Sequence, residues 1–400
     1  MISKNKCKLF VFNPTCEMAI ANGRISYMPP VNLRKFEDDL SMLPCFFGDS
    51  KDFVLISQKI DSYFVEYLNF LGFELPQFIM SKDDFIPKNK IDLLCPWGWS
   101  PAIHNKFKHF LQYCTDEWHI NPMAKWEKNH NKLLSRETTY DFIIQLNNTN
   151  KKSYGIIEIP QIPLKVRTLE EIKTLPEILK PPVLLKTPLS ASGRGLFKIR
   201  NINEYAEKNV WVKSKLKQQG LFFVEPFLNK VLDVSFHFFI EGEIINYLGN
   251  TFFETDEKGQ FIGCFIRFPY MTEFDKVFLA EACEQAADLL FNNLKVFKIT
   301  DYYQGPLGID AIFYKKSDGT VKLHPCVEIN LRYTMGLLNL FLRKRVHPEK
   351  NGKWKIIKTK SNPHNIKTQK NILKDGFLFD GEFSLTPQNI EYQHVVCLVI

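Results

Sequence analysis

The sequence predicts a mixed α/β (α+β) chain, an N-terminal α/β layer followed by a largely antiparallel body. Three observations carry this. Four hundred residues exceed one ordinary core, and 45% apolar with 14% aromatic residues suffice to bury two or three units. From Cys7 to about Ala124 short apolar runs alternate with helical stretches, the pattern of parallel strands joined by helices. From Leu221 to Phe268 apolar runs follow one another with only turns between them, which signals antiparallel pairing. The boundaries fall at residues 1–125, 126–225, 226–345 and 346–400: an N-terminal α/β domain, a small subdomain carrying a glycine-rich loop, a second subdomain with an acidic strand, and a C-terminal extension.

In order, strands are expected at Lys8–Phe12, Phe53–Ile56 and Asp92–Leu94, with helices at Ile60–Phe70 and Pro101–Tyr113. A helix Trp126–Leu146 follows, and Asn147–Ser153, rich in Asn and Lys, reads as a loop. Next come a strand Ile162–Val166, a helix opening at Thr168 with Glu170 and Glu171 in its first turn, and the strand Val183–Leu185 introduced by Pro181-Pro182. Ser190–Gly195 is a small-residue turn into a second strand, Gly195–Ile199. A strand-loop-strand hairpin differs from the phosphate loops that open a helix. Strands Leu221–Phe227, Leu232–Ile240, Ile244–Phe253 and Phe261–Phe268 are separated by the Glu241-Gly242-Glu243 and Asp256–Gly259 turns. Glu273–Asn293 is an amphipathic helix with Val277, Ala280, Ala287 and Leu290 along one side. Gly308–Tyr314 pairs with Val321–Leu331. Beyond about Leu342 a basic segment to Lys374 is expected to be exposed, with strands Phe377–Phe379 and His394–Ile400 closing the chain.

The net charge of +8 comes from 52 basic against 44 acidic residues spread along the chain. Basic clusters at Lys106–Lys108, Lys213–Lys217 and Arg343–Lys360 read as solvated surface, with a polyanion-binding patch as the competing reading. Neither membrane nor nucleic acid is an expected partner. Nine cysteines, an odd number without a C-x-x-C pair, and several such as Cys264, Cys283 and Cys397 inside apolar patterns, fit reduced core residues of a cytoplasmic protein. The apolar run Leu9–Phe12 is cut off by Asn13-Pro14, too short for a signal-peptide core, and no stretch approaches the ~20 apolar residues that cross a bilayer.

The strand Glu328-Ile329-Asn330-Leu331-Arg332 sends Glu328, Asn330 and Arg332 to one face and its apolar residues to the other. A carboxylate, an amide oxygen and a guanidinium on one face suit a hard cation beside an anion. Ser317-Asp318-Gly319 suits a three-residue hairpin loop with Lys316 facing Thr320. That register sets Asp310 opposite Cys326, with Glu328 as its diagonal neighbour on the same face. A two-residue turn would instead put Asp310 opposite Val327, buried and unpaired. Lys186 ends the strand before Ser190-Ala191-Ser192-Gly193-Arg194-Gly195, whose backbone N–H groups can approach phosphate oxygens. His324 reads as a structural histidine. Arg267 reads equally as a surface arginine or a carboxylate ligand, and Trp97 and Trp99 equally as pocket walls or loop packing.

Together these pieces resemble the ATP-grasp superfamily over roughly Lys132 to Gly336, through the Lys186 strand and its loop, the hinge strand Phe223-Val224-Glu225-Pro226-Phe227-Leu228, and Asp310 with Glu328-Ile329-Asn330-Leu331-Arg332. The loop has fewer glycines than the glycine-richest members, and a hinge proline is uncommon. The resemblance implies an ATP-grasp fold with an N-terminal pre-ATP-grasp-like domain. It implies phosphate contacts from Lys132, Lys186 and the loop residues Ser190, Ser192, Gly193, Arg194 and Gly195. Glu225, Pro226 and Leu228 would meet adenine, and Asp233 the ribose. Mg²⁺ would be held by Asp310, Glu328 and Asn330, with Arg332 and Lys186 catalytic. The implied activity is an ATP- and Mg²⁺-dependent, ADP-forming ligase that activates a small-molecule or peptide carboxylate as an acylphosphate and joins it to an amine or other nucleophile. A non-catalytic ATP-binding sensor or scaffold with the same fold is the alternative.

Overall fold

The computed structural model describes residues 5–80, 86–87, 89–149, 155–178, 180, 182–190, 193–201, 204, 209–257, 259–269, 274–358, 372–387 and 393–400. In the N-terminal layer β1 (Lys8–Val11), β2 (Phe53–Leu55), β3 (Gln77–Ile79) and β4 (Leu93–Pro96) form a parallel sheet in the order β3-β2-β1-β4. β1 is buried throughout, as a central parallel strand covered on both faces must be. β3 is the strand the sequence pattern does not announce: three residues, none of them buried, at the sheet edge. The loops after β1 and β4 are tied together by Asn13, whose Nδ2 donates to the Gly98 carbonyl (2.7 Å) and whose Oδ1 accepts from the Gly98 N–H (3.3 Å). Gly98 permits this approach, because a Cβ there would lie 2.2 Å from the Cys16 sulfur.

The expected helix Trp126–Leu146 is instead a short turn of helix, His130–Leu133, and a longer one, Arg136–Thr149. Ser135 breaks it: its hydroxyl donates to the Lys132 carbonyl (2.8 Å) and accepts from the Glu137 N–H (3.1 Å), the action of an N-cap. The small subdomain that follows holds β5 (Leu164–Val166), β6 (Val183–Lys186), β7 (Leu196–Ile199) and β8 (Phe222–Pro226), antiparallel in the order β5-β8-β6-β7. The Leu169–Ile178 helix starts with a reciprocal cap in which Thr168 Oγ1 accepts from the Glu171 N–H (3.1 Å) and Glu171 accepts from the Thr168 N–H (3.3 Å). Ile172 and Leu175 of this helix pack on Val183, Leu185, Phe222 and Val224.

The body is a nine-stranded sheet built from β9 (Lys230–Glu241), β10 (Ile244–Thr255), β11 (Phe261–Phe265), β12 (Gly305–Lys315), β13 (Val321–Asn330), β14 (Gly352–Lys358), β15 (Ile372–Lys374), β16 (Phe377–Ser384) and β17 (Gln393–Val399). Their order is β13-β12-β9-β10-β11-β14-β17-β16-β15. Two expectations are corrected here. Part of the basic segment after Leu342 is not exposed: Gly352–Lys358 is an internal strand between β11 and β17, with Trp354 fully buried and its Nε1 donating to Asn339 Oδ1 (2.9 Å). The rest of that segment, 359–371, lies outside the described residues. Of the four residues named from sequence on the Lys276–Val296 helix, Ala287 and Leu290 are buried along with Leu279, Cys283, Ala286 and Leu294, while Val277 and Ala280 are exposed, so the buried face is only partly the one named. The start of the helix is fixed by Asp275, which accepts from the Val277 N–H. Among the described residues no helix is long and apolar enough to cross a membrane.

Candidate functional site

The hairpin of β12 and β13 closes as its loop chemistry demands. Lys316 N–H donates to the Thr320 carbonyl (2.8 Å), and Gly319 takes a φ of +86° that glycine adopts without penalty. Near the turn, Lys315 pairs with Val321 and Ile312 with His324, the expected register. Between Ile312 and Asp310 the register then slips by two residues, so Asp310 lies directly opposite Glu328 rather than opposite Cys326. Pro325 explains the slip: it has no N–H to give the ladder, and sheets confine proline to edges and bulges. Parity survives a shift of two, so both carboxylates stay on one face and come closer than the uninterrupted register allowed. On the other side of β12, Ser235 of β9 pairs with Asp310, placing Ser235, Asp310 and Glu328 in one row across three strands.

This row faces a cleft of about 1160 Å³ bounded by the nine-stranded sheet, the loop after β6 and the N-terminal layer. Of the residues singled out from sequence, Ser190, Gly193, Arg194, Asp310, Glu328, Asn330 and Arg332 line it. Asn330 joins the acids to the arginine, its Nδ2 donating to Asp310 Oδ2 (2.9 Å) while its Oδ1 accepts from Arg332 Nη2 (2.7 Å). The Asp310 carboxyl is pushed up to about 7, first by burial and then by the negative charge of Glu328, against the pull of Ser235 and Arg332. For Arg332 burial works against the charge, but the Glu17 carboxylate paired with its Nε more than restores it, and the guanidinium stays firmly protonated.

The loop after β6 is held by backbone. Thr187 N–H donates to the Gly195 carbonyl (2.9 Å) and Leu196 N–H to that of Gly193 (3.1 Å). Gly193 has φ +72°, and a Cβ on Gly195 would lie 2.1 Å from Thr187 Oγ1 and 2.4 Å from Ser190 Cβ. Ser192 lies outside the described residues. Lys186 is buried, paired with Glu225 and reaching the Val327 carbonyl (3.4 Å). Lys186, Gly195, Glu225, Pro226, Leu228 and Asp233 are not among the residues that line the cleft. Leu184 faces Glu225 and Val183 faces Pro226 across β6 and β8, and Leu228 is half-buried just beyond. Asp233 is bonded to Lys230 Nζ (2.5 Å) and Thr255 Oγ1 (3.1 Å), its carboxyl raised by burial with Lys230 opposing. Lys132 is solvent-exposed and paired with Asp141 (2.9 Å), away from the cleft.

Arg136, not Lys132, is the buried cation at the acidic strand. Its side chain is 6% exposed; Nη2 pairs with Glu328 Oε1 (2.7 Å), and Nη1 donates to the Thr187 carbonyl (2.6 Å) and to Ser190 Oγ (2.8 Å). It therefore couples the acidic strand to the loop. The sequence did not flag it: in the expected helix Trp126–Leu146 it falls mid-helix, and only the break at Ser135 puts it in a first turn, against the macrodipole and in need of a compensating partner. Glu17 was also missed, as the first helix comes from a separate layer with no pattern linking it to Arg332. Of the two tryptophans, Trp97 lines the cleft and Trp99 stacks on Trp118 with centroids 5.5 Å apart. His324 is buried, its Nδ1 accepting from the Cys326 N–H (3.4 Å), and burial followed by Lys186 lowers its pKa to about 3, so it stays neutral.

Among the described residues no three His, Cys, Asp or Glu side chains converge on one point. The site nonetheless fits a hard cation of the Mg²⁺ kind, which is usually held by one or two carboxylates with phosphate and water completing its shell. Asp310 accepts one bond from Asn330, Glu328 is ion-paired with Arg136, and both carboxylates retain further lone pairs. Burial and the facing Glu328 both disfavour the charged Asp310 carboxyl, and a bound cation would oppose both effects.

No protein-family model matches the sequence, and comparison with curated proteins finds no relative. Solved structures do match. Biotin carboxylase from Campylobacter jejuni, solved with β,γ-ATP, is 11% identical with a TM-score of 0.52, covering 100% of this chain and 89% of that one. Pyruvate carboxylase from Rhizobium etli is 12% identical with a TM-score of 0.53, covering 99% of this chain and 36% of that one. At such identities the likeness concerns the fold.

Proposed function

We propose that this chain, which has the ATP-grasp fold, is an ATP- and Mg²⁺-dependent, ADP-forming ligase that activates a carboxylate as an acylphosphate and joins it to an amine or other nucleophile. One observation carries the reading: Asp310 and Glu328 stand directly opposite each other on β12 and β13, in a cleft that also holds three guanidiniums, those of Arg136, Arg194 and Arg332. Two carboxylates beside arginines suit a cation-bound polyphosphate better than they suit either ion alone.

In this reading Asp310, Glu328 and Asn330 hold Mg²⁺, which supplies charge neutralisation at the transferred phosphate when bound. Arg136 fixes the Glu328 carboxylate and orders the Thr187–Ser190 backbone through its own bonds. Lys186, Arg194 and the N–H groups of the loop neutralise the phosphates, with Arg136 rather than Lys132 as the second buried cation. Glu225, Pro226 and Leu228 are assigned to the base and Asp233 to the sugar by the resemblance alone, since none of them lines the cleft. Arg332, oriented by Glu17 and Asn330, meets the acceptor carboxylate and the oxyanion formed when the nucleophile attacks. The reaction is one of placement and charge, and the side chains facing the cleft from the N-terminal layer, Thr15, Lys35, Phe36 and Trp97, select the acceptor. The setting is cytoplasmic.

The test is ATP turnover with Mg²⁺ against a library of carboxylates paired with amino acids and other amines. ADP release that requires both a carboxylate and a nucleophile, and that disappears in Glu328→Gln while the melting curve stays cooperative, supports the ligase. Nucleotide binding with no turnover for any pair assigns the sensor role instead.

A further inference from the structure

Arg267, one of the arginines open to two readings in the sequence, does not face the cleft. It lines a second groove of about 650 Å³ between β10 and the Lys276–Val296 helix, which shares no lining residue with the first. The two lie on opposite faces of one strand: Phe252 faces the second groove, and Phe253, next along β10, faces the cleft. Arg267 Nη2 donates to the carbonyls of Val346 and His347 (3.2 Å each), but its Nη1 is buried with no hydrogen-bond partner among the described residues. With that N–H unpartnered and no ion pair among the described residues, the Arg267 charge is not neutralised within the fold, which favours an anion in the groove beside it.

Arg343, at the end of the Met335–Arg343 helix, enters the same groove. Its charge is disfavoured first by burial and then by the Arg267 guanidinium, so two like charges are held together. Among the described residues neither arginine has an ion-pair partner. The strand is opened beside them by a bulge between Tyr247 and Gly249. Gly249 has φ +129°, and its missing Cβ would stand 3.6 Å from Arg343 Nη2. The opposite wall carries the reverse charge, Glu284 and Asp288, one helical turn apart on one face.

We propose that this groove is a binding site for a small zwitterion of the α-amino-acid class, its carboxylate on Arg267 and Arg343 and its ammonium against Glu284 and Asp288. A simple anion such as phosphate would answer the arginines but meet the two acids, and a simple cation the reverse. A molecule with both charges satisfies both walls, and the volume suits a small ligand. Because the groove shares no lining residue with the cleft, the proposal gives the ligand there a bound rather than a reacting role.

The experiment is calorimetric titration of the full chain, without nucleotide, with L-alanine, L-leucine and L-glutamate, beside acetate, inorganic phosphate and methylamine. At least one amino acid is expected to bind, with every single-charge control weaker. Arg267→Gln should weaken that binding at least about tenfold, the scale of one charge-assisted bond. Ala280→Trp, which fills the groove from an exposed helix position and leaves both arginines in place, should do the same. Glu328→Gln, in the other cleft, should leave it unchanged. Binding of phosphate as strong as of any amino acid overturns the ligand class. Amino-acid binding lost in Glu328→Gln but kept in Ala280→Trp, or no amino-acid binding at all, overturns the site.

Discussion

Asp310→Asn tests the acidic pair without relying on turnover. Burial, and after it the facing Glu328, push the wild-type carboxyl up to about 7 in the folded chain, against 3.8 for the ordinary group. Its folded pKa is therefore raised, so the group favours the native state least where it is ionised. Relative stability is fully present below about pH 4 and is lost as pH rises through 7. A shift of this size amounts to about 4 kcal/mol above pH 8 and to between 1 and 2 kcal/mol, roughly, at pH 5, so wild type should lose on the order of 3 kcal/mol between these two values from this group. Asparagine keeps the shape and can still accept the bond that Asn330 Nδ2 donates, but it carries no proton to lose. Urea denaturation of both proteins at pH 5 and pH 8, without Mg²⁺ or nucleotide, should show Asp310→Asn the more stable at pH 8 by a few kcal/mol, with the gap narrowing at pH 5. Adding Mg²⁺ with ATP at pH 8 should stabilise wild type and not the variant. Parallel pH dependences for the two proteins would refute the claim that burial and the facing Glu328 raise the Asp310 carboxyl.

Arg136→Met leaves Glu328 without its partner and the Thr187–Ser190 segment without its tie, and should weaken ATP binding by more than about tenfold by calorimetry, whereas Lys132→Met should leave it near wild type. Gly195→Ala forces its new methyl into Thr187 Oγ1 and Ser190 Cβ, so the loop must move. The expected cost is about 1–3 kcal/mol in denaturant, with weakened nucleotide affinity. Trp354→Ala should cost about 3–5 kcal/mol, read from the urea midpoint, because it empties a fully buried site and orphans Asn339 Oδ1; a surface strand would lose almost nothing.

The contrast between Glu328 and Arg136 shows how far residue patterns reach. Alternation along Glu328-Ile329-Asn330-Leu331-Arg332 reveals a polar face, because strand geometry has period two whatever the strand packs on. The three-residue hairpin loop fixed Lys316 opposite Thr320 for the same reason: turn chemistry is local. The slip at Pro325 was not foreseen, although the physics was in view, since a proline in a paired strand demands a bulge somewhere and its width depends on what the neighbouring strand β9 tolerates. Arg136 and Glu17 lie beyond that horizon. Their roles come from a helix and a layer brought to the sheet by tertiary packing, and nothing periodic links residue 17 to residue 332. Trp354 failed in the opposite sense. Lysines flank it at 353 and 355, so the segment looked solvated, but in a strand alternate residues face opposite ways, and Lys353 reaches out to Glu254 while Trp354 fills the core. Charge density over a window therefore misreads a strand whose two faces differ. The same alternation on β10, with Phe252 and Phe253 facing separate clefts, is what allows one nine-stranded sheet to hold the acidic pair on one side and the paired arginines on the other.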